Sequence, residues 1–236
     1  MKTVTVSNVG ELPYAMEEAI NRLRVNVGFF GENVRRIAVT SSLPEEGKST
    51  ISMYLWRQMA EAGIPSVFVD MDLRASVLAE NYPYEGEGDT KYPGTSDYLS
   101  GKCSLDECLV HTQFEMGDIL LNRENAINPS MLITGNKFSD MLDQLAEKYR
   151  YVFLDTPPLG IVSDGESIAS KSDGAILVIR SGETSTRLVR SSISQLERSG
   201  CPVLGYVLNR AESPGKKYYS RHYGYGYGYG YGYYSK

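Results

Sequence analysis

The run Arg36-Ile-Ala-Val-Thr40-Ser-Ser-Leu-Pro-Glu-Glu-Gly47-Lys48-Ser49-Thr50 constrains this chain more than any other segment. A short apolar run leads into a Pro/Gly turn, and a helical pattern over 48–62 follows, in the order that a phosphate-binding loop requires. The loop ends in Gly-Lys-Ser-Thr but carries Ser42 where the general pattern has glycine. Backbone N–H groups around Gly47 and the following helix N-terminus can surround phosphate oxygens, and Lys48 can reach the β/γ bridge. Ser49 would offer its hydroxyl to Mg²⁺. The bland alternative is a helix start, where Ser and Thr are common.

Two further segments favour the phosphate site. Val67-Phe-Val-Asp70-Met-Asp72-Leu-Arg74 closes an apolar strand with carboxylates at alternate positions, which share one side of the chain if it stays extended. Tyr151-Val-Phe-Leu-Asp155-Thr-Pro-Pro158 closes another in a single Asp, the form of a Walker B strand. Ligands gather at the carboxyl ends of strands in open parallel sheets. Asp70, Asp72 and Asp155 are therefore expected beside Lys48, dividing Mg²⁺ ligation from orientation of an attacking hydroxyl. One Asp after a strand often only closes a turn, but three in a chain with such a loop point to phosphoryl transfer.

Short apolar runs recur at 36–40, 66–70, 118–121, 151–155, 174–179 and 202–208, mostly separated by helical segments or long loops. That alternation predicts an α/β fold, P-loop NTPase-like, with a mostly parallel sheet covered by helices on both faces. Phe138, Met141, Leu142, Leu145 and Tyr149 mark one covering helix; Leu188, Ile193 and Leu196 mark another. An N-terminal helix is expected over 17–30, with Ala19, Ile20, Leu23 and Val27 on its inner face. Residues 81–95, rich in Gly, Pro, Tyr and acids, read as an exposed loop. The expected division is an N-terminal helical segment over 1–35, one catalytic domain over 36–212 and a disordered Gly/Tyr tail over 213–236.

With 236 residues, 42% of them hydrophobic, the chain can bury one sizeable core. A formal charge of -5 gives no reason to expect a nucleic-acid partner. Cys103, Cys108 and Cys201 form an odd set without framework spacing and read as ordinary thiols in a reducing compartment. Cys103, Cys108 and His111 fall in what reads as one helical stretch, where packing is the commoner role than metal binding. No secretory leader and no membrane-spanning run stands out, which predicts a soluble cytoplasmic protein whose membrane association comes through a partner.

Together, the Walker A loop, the strand over 67–74, the strand ending Asp155-Thr-Pro-Pro158 and the terminal tyrosine cluster resemble the cytoplasmic catalytic domain of bacterial tyrosine kinases tied to capsule and exopolysaccharide production. The resemblance covers nearly the whole chain. It implies a nucleotide loop of Pro44, Glu46, Gly47, Lys48, Ser49 and Thr50, with Ser49, Asp72 and Asp155 serving Mg²⁺. It implies Asp70 as the group that orients or deprotonates the tyrosine, and Asn209 with Arg210 near the adenine. Asn128-Pro129-Ser130 resembles a family helix-start motif with a structural role. Glu45 stands where the family commonly has glycine. Glu18-Ala-Ile-Asn21-Arg22-Leu-Arg24 resembles the family's oligomerisation motif, with Asn21 in place of its first Arg and Arg22 close enough to substitute. A homo-oligomer and a separate membrane adaptor that activates and recruits the chain are further implications.

Nine of the 18 tyrosines, Tyr218, Tyr219, Tyr223, Tyr225, Tyr227, Tyr229, Tyr231, Tyr233 and Tyr234, lie in the last 19 residues. Intervening glycines leave the backbone free to present successive hydroxyls to one active site. Each phosphate adds about 1.5 to 2 negative charges, so phosphorylation between subunits would loosen an assembly by repulsion. The competing reading is an ATPase switch of the partition and division-site type, which transfers phosphate to water. The tyrosine tail and the absence of a lysine early in the loop speak against it. A nucleotide-binding scaffold without catalysis would leave three acids idle.

Overall fold

The structure is a computed structural model that describes residues 3–85 and 92–211. The strands are β1 (Thr3–Val6), β2 (Arg36–Ser41), β3 (Ser66–Asp70), β4 (Tyr84–Glu85), β5 (Val110–Thr112), β6 (Gly117–Leu120), β7 (Tyr151–Asp155), β8 (Gly174–Arg180) and β9 (Val203–Asn209). They form one sheet in the order β4-β1-β5-β6-β3-β7-β2-β8-β9. Pairing is parallel except for β1 with β4 and β5 with β6. The expected mostly parallel sheet is thus present, with three more strands than the apolar runs indicate.

The main helices are α1 (Tyr14–Gly28), α2 (Lys48–Glu61), α7 (Asn136–Lys148) and α9 (Thr186–Arg198). Shorter ones are α3 (Leu78–Asn81), α4 (Thr95–Leu99), α5 (Leu105–Cys108), α6 (Pro129–Thr134) and α8 (Asp164–Ala169). Strand alternation sorts the core into opposite faces. Phe68 and Phe153 join Met53, Leu55, Trp56 and Met59 of α2 on one side. Val67, Val69, Val152 and Leu154 meet Phe138, Met141, Leu142 and Leu145 of α7 on the other. Removing such side chains from water supplies about 1.5–3 kcal/mol each, which holds the strand ends in fixed register.

Four expectations change. Residues 3–6 alternate exposed and buried as β1 and join the sheet through β4 and β5, so the N-terminal segment is more than a helix. In α1, Ile20, Leu23 and Val27 pack on the core, whereas Ala19 is exposed. Within the supposed exposed loop, Tyr82, Tyr92 and Thr95 are buried: the Tyr92 ring packs on Tyr84 of β4, 5.6 Å between centroids, and Thr95 donates to the Leu120 and Leu121 carbonyls. Residues 103–111 are not one helix: α5 ends at Cys108 and His111 lies on β5. The tail and its nine tyrosines lie outside the described residues.

Candidate active site

The phosphate loop spans the turn between β2 and α2. Gly47 caps α2 at φ 92°, a conformation that favours glycine. A Cβ there would stand 2.2 Å from Asn209 Nδ2, so backbone conformation and space both demand glycine. Asn209, the last residue of β9, donates from Nδ2 to the Glu46 carbonyl at 2.9 Å. Glu45 is exposed with φ 61° and stands beside Pro44 on the wall of the cavity above Lys48.

Glu46 has 2% exposure, and its carboxylate faces inward. It accepts from Leu43 N–H at 2.8 Å, from Arg180 N–H at 3.3 Å and from the Thr184 hydroxyl. The side chain is therefore an internal strut that ties the loop to the β8–α9 turn. Serine at position 42 also has a structural partner: Ser192 of α9 donates to its hydroxyl at 2.9 Å.

Lys48 converges with the acids. Its Nζ lies 3.6 Å from Asp155 Oδ2, 3.9 Å from Asp72 Oδ2 and 3.2 Å from Ser49 Oγ. Ser49 donates to Asp155 Oδ2 at 2.6 Å, and Ser52, one helical turn further, donates to Oδ1 at 3.2 Å. Ser52 was not singled out in the sequence, although its spacing from Ser49 places both on one helix face. Burial pushes the Asp155 carboxyl above the usual carboxylate range, while Lys48 and Ser49 pull it back. The cavity above these groups measures about 680 Å³, and its walls include Pro44, Gly47, Thr50, Asp72 and Arg210.

Asp70 is placed differently from its sequence neighbour. β3 stops at Asp70, and Asp72 N–H turns back to donate to Asp70 Oδ1 at 3.1 Å, so the extended geometry assumed for the pair does not hold. Asp70 is fully buried below the cavity, accepting also from Asn122 N–H at 3.2 Å and from the Ser76 hydroxyl. Burial raises its pKa to about 8; the Ser76 hydroxyl works against that rise and the Asp155 charge adds to it. Asp72, not Asp70, forms the cavity wall.

The helix-start motif does structural work nearby. Arg74 Nε donates to Asp164 Oδ2 at 2.5 Å, Ser130 donates to Asp164 Oδ1 at 2.7 Å, and Arg74 Nη2 reaches Ser130 at 3.0 Å. This knot joins the β3 exit, α6 and α8. Asp164 carried no sequence signal. Asn209 and Arg210 line an adjoining groove beneath α1, and Arg210 borders the main cavity as well.

The chain is 34% identical over 202 residues to tyrosine-protein kinase CpsD of Streptococcus pneumoniae, covering 86% of this chain and 87% of that protein. It belongs to the bacterial tyrosine kinase family of capsule and exopolysaccharide production. The chain is accordingly a protein-tyrosine kinase. The crystal structure of the chimerical protein CapA2B2 superposes with a TM-score of 0.78 at 27% identity, covering 90% of this kinase and 94% of that chain. The septum site-determining protein MinD complexed with Mg-ADP, from Pyrococcus horikoshii, superposes with a TM-score of 0.62 over 76% of this chain and 72% of its own. At 24% identity that likeness shows the shared fold alone. No family model matches the chain. The kinase relatives favour tyrosine phosphorylation over the division-site ATPase reading.

Proposed function

We propose that this kinase binds MgATP in the cavity above Lys48, transfers the γ-phosphoryl group to tyrosine hydroxyls including those over 218–234 of its own chain, and thereby regulates capsular or exopolysaccharide biosynthesis. The observation that carries this reading is that Gly47, Lys48, Ser49 and Asp72 line one cavity, with the buried Asp155 carboxylate directly behind Lys48 and Ser49.

The donor set fits a hard divalent cation. One hydroxyl and two carboxylates, from Ser49, Asp72 and Asp155, surround the Lys48 ammonium, and Mg²⁺ prefers such oxygen ligands. When bound there it would neutralise charge on the β- and γ-phosphates. Lys48 adds a fixed positive charge, and the Gly47 turn with the α2 N-terminus offers N–H donors to phosphate oxygens. Asn209 holds the loop from behind, and Arg210 borders the groove that suits the base. Asp70 is assigned the tyrosine proton, through movement of the Ser76 hydroxyl that covers it; Asp72 serves the metal. No helix among the described residues is long and apolar enough to cross a membrane. Recruitment by a membrane adaptor, and tail phosphorylation between subunits of a homo-oligomer, complete the proposal.

The test is incubation of the full chain with MgATP and detection of phosphotyrosine, beside Lys48→Met, Asp70→Asn and a chain ending at Ser213. Signal is expected in the parent alone, with the shortened chain still modifying an added tyrosine peptide. Equal labelling of Lys48→Met would remove the loop from the mechanism.

A further inference from the structure

We propose that Cys103 and Cys108 are a reversible dithiol/disulfide site, oxidised by exchange with a small disulfide of the glutathione class. Their Sγ atoms stand 2.7 Å apart, one in the turn that leads into α5 and the other on the last residue of that helix. Sulfur atoms this close need little backbone movement to bond, because disulfide formation depends on the approach of the two side chains more than on their spacing in sequence. Neither residue belongs to the phosphate site, and the kinase reading leaves both unused.

Local structure holds the pair in place. Ser104 caps α5, and its N–H and hydroxyl both meet Glu107 Oε2 at 2.7 Å, fixing the four residues between the cysteines. Gly101, with φ +81°, turns the chain out of α4 just before Cys103. Cys108 at the other end is 1% exposed among Leu105, Leu109 and Leu142 of the α7-side core. The thiols therefore meet in the folded state instead of having to find one another, and closing so short a loop costs little chain entropy.

The two sulfurs divide the chemistry by exposure. Cys103 is half-buried and opens onto a cleft shared with Lys102, Arg123 and Glu124, so it is the one a solute can reach. Burial pushes the Cys108 thiol well above the usual range, which keeps it protonated and unreactive towards solvent. In the first step the Cys103 thiolate attacks one sulfur of the oxidised small disulfide; a mixed disulfide forms and one small thiolate leaves with a proton. In the second, the Cys108 thiol loses its proton and attacks Cys103 Sγ, expelling the second small thiol. Two protein thiols and one disulfide become one protein disulfide and two small thiols, so electrons and protons balance. Cys201, fully buried beside Pro202, serves as an internal reference.

The experiment equilibrates the full chain with glutathione and its disulfide at graded ratios, quenches with acid, alkylates under denaturing conditions and maps the peptides. Expected is a species lacking two alkyl groups, with Cys103 linked to Cys108, Cys201 alkylated throughout, and full reversal on adding excess thiol. Cys108→Ser should instead accumulate a glutathione adduct at Cys103, and Cys103→Ala should resist oxidation. Alkylation of all three cysteines at every ratio overturns the proposal, as does a bond to Cys201 or a link formed only after denaturation. Thermal melting of the variants checks that each is folded.

Discussion

Asp70 and Asp155 are the last Cα partners of β3 and β7, and both are completely buried. Two carboxylates at adjacent strand ends cannot both ionise cheaply, and burial raises the pKa of each, that of Asp70 to about 8. Because folding raises this pKa above its unfolded value of 3.8, the folded protein binds the proton more tightly. The stabilising contribution is complete below the unfolded value and is lost as pH rises through about 8. In metal-free buffer, Asp70→Asn should melt above the parent at alkaline pH, with the gap closing as the buffer is acidified through the range between those values. A constant gap would show that Asp70 does not titrate in that window.

Gly47→Ala tests the turn. Placing an L-residue at positive φ costs about 1–2 kcal/mol, and the new methyl group also meets Asn209. We expect ATP affinity, measured by fluorescent-analogue titration, to fall by roughly tenfold or more, at about 1.4 kcal/mol per decade. Retention of parental affinity would mean that the loop relaxes at no cost.

Glu46 separates architecture from direct ligand contact. Glu46→Ala leaves the Leu43 and Arg180 N–H groups and the Thr184 hydroxyl without their acceptor, and an orphaned donor costs about 1–3 kcal/mol when buried. The melting temperature should drop and the KM for ATP should rise. Glu46→Gln, which keeps one oxygen acceptor, should recover part of both.

Asp164→Ala should unfasten Arg74 and Ser130 together. The expected result is a raised KM for ATP, since Arg74 shares a cavity wall with Asp72, and a smaller effect for Asp164→Asn, which retains an acceptor. Initial-rate measurements on both variants decide it.

Within α1, Arg24 Nε and Nη2 bond Asn21 Oδ1 at 3.2 and 2.8 Å. Arg24 is therefore engaged by Asn21, the position that the resemblance to an oligomerisation motif would give to an arginine. Asn21→Arg should release it and raise the mass seen by light scattering at fixed concentration. An unchanged mass would assign subunit association to other residues.

The strand ends were legible because buried central strands read as uninterrupted apolar runs; β3 and β7 match their expected bounds to the residue. β1 escaped because Thr3-Val-Thr-Val6 is half polar, its alternation spanning only four residues beside a polar stretch. Lys48, Asp72 and Asp155 follow from strand-end logic. The depth of Asp70 does not, since it depends on the chain bending immediately after β3. Nor does the direction of Glu46, which follows from left-handed conformations at Glu45 and Gly47 and from partners more than 130 residues away. The Arg74–Asp164 bond spans 90 positions, beyond the range of any local pattern.

Asn209 ends the sheet and also holds the Glu46 carbonyl, so the C-terminal segment departs from within one hydrogen bond of the phosphate loop. Tyr218 lies nine positions beyond that anchor, a span of at most about 30 Å along an extended chain. On the proposed function, tethering would supply each chain with its own acceptors at high effective concentration. If tails are phosphorylated between subunits, as proposed, distance alone would not make a neighbour's tyrosines preferable, and the choice would fall to the angle at which a hydroxyl approaches the nucleotide.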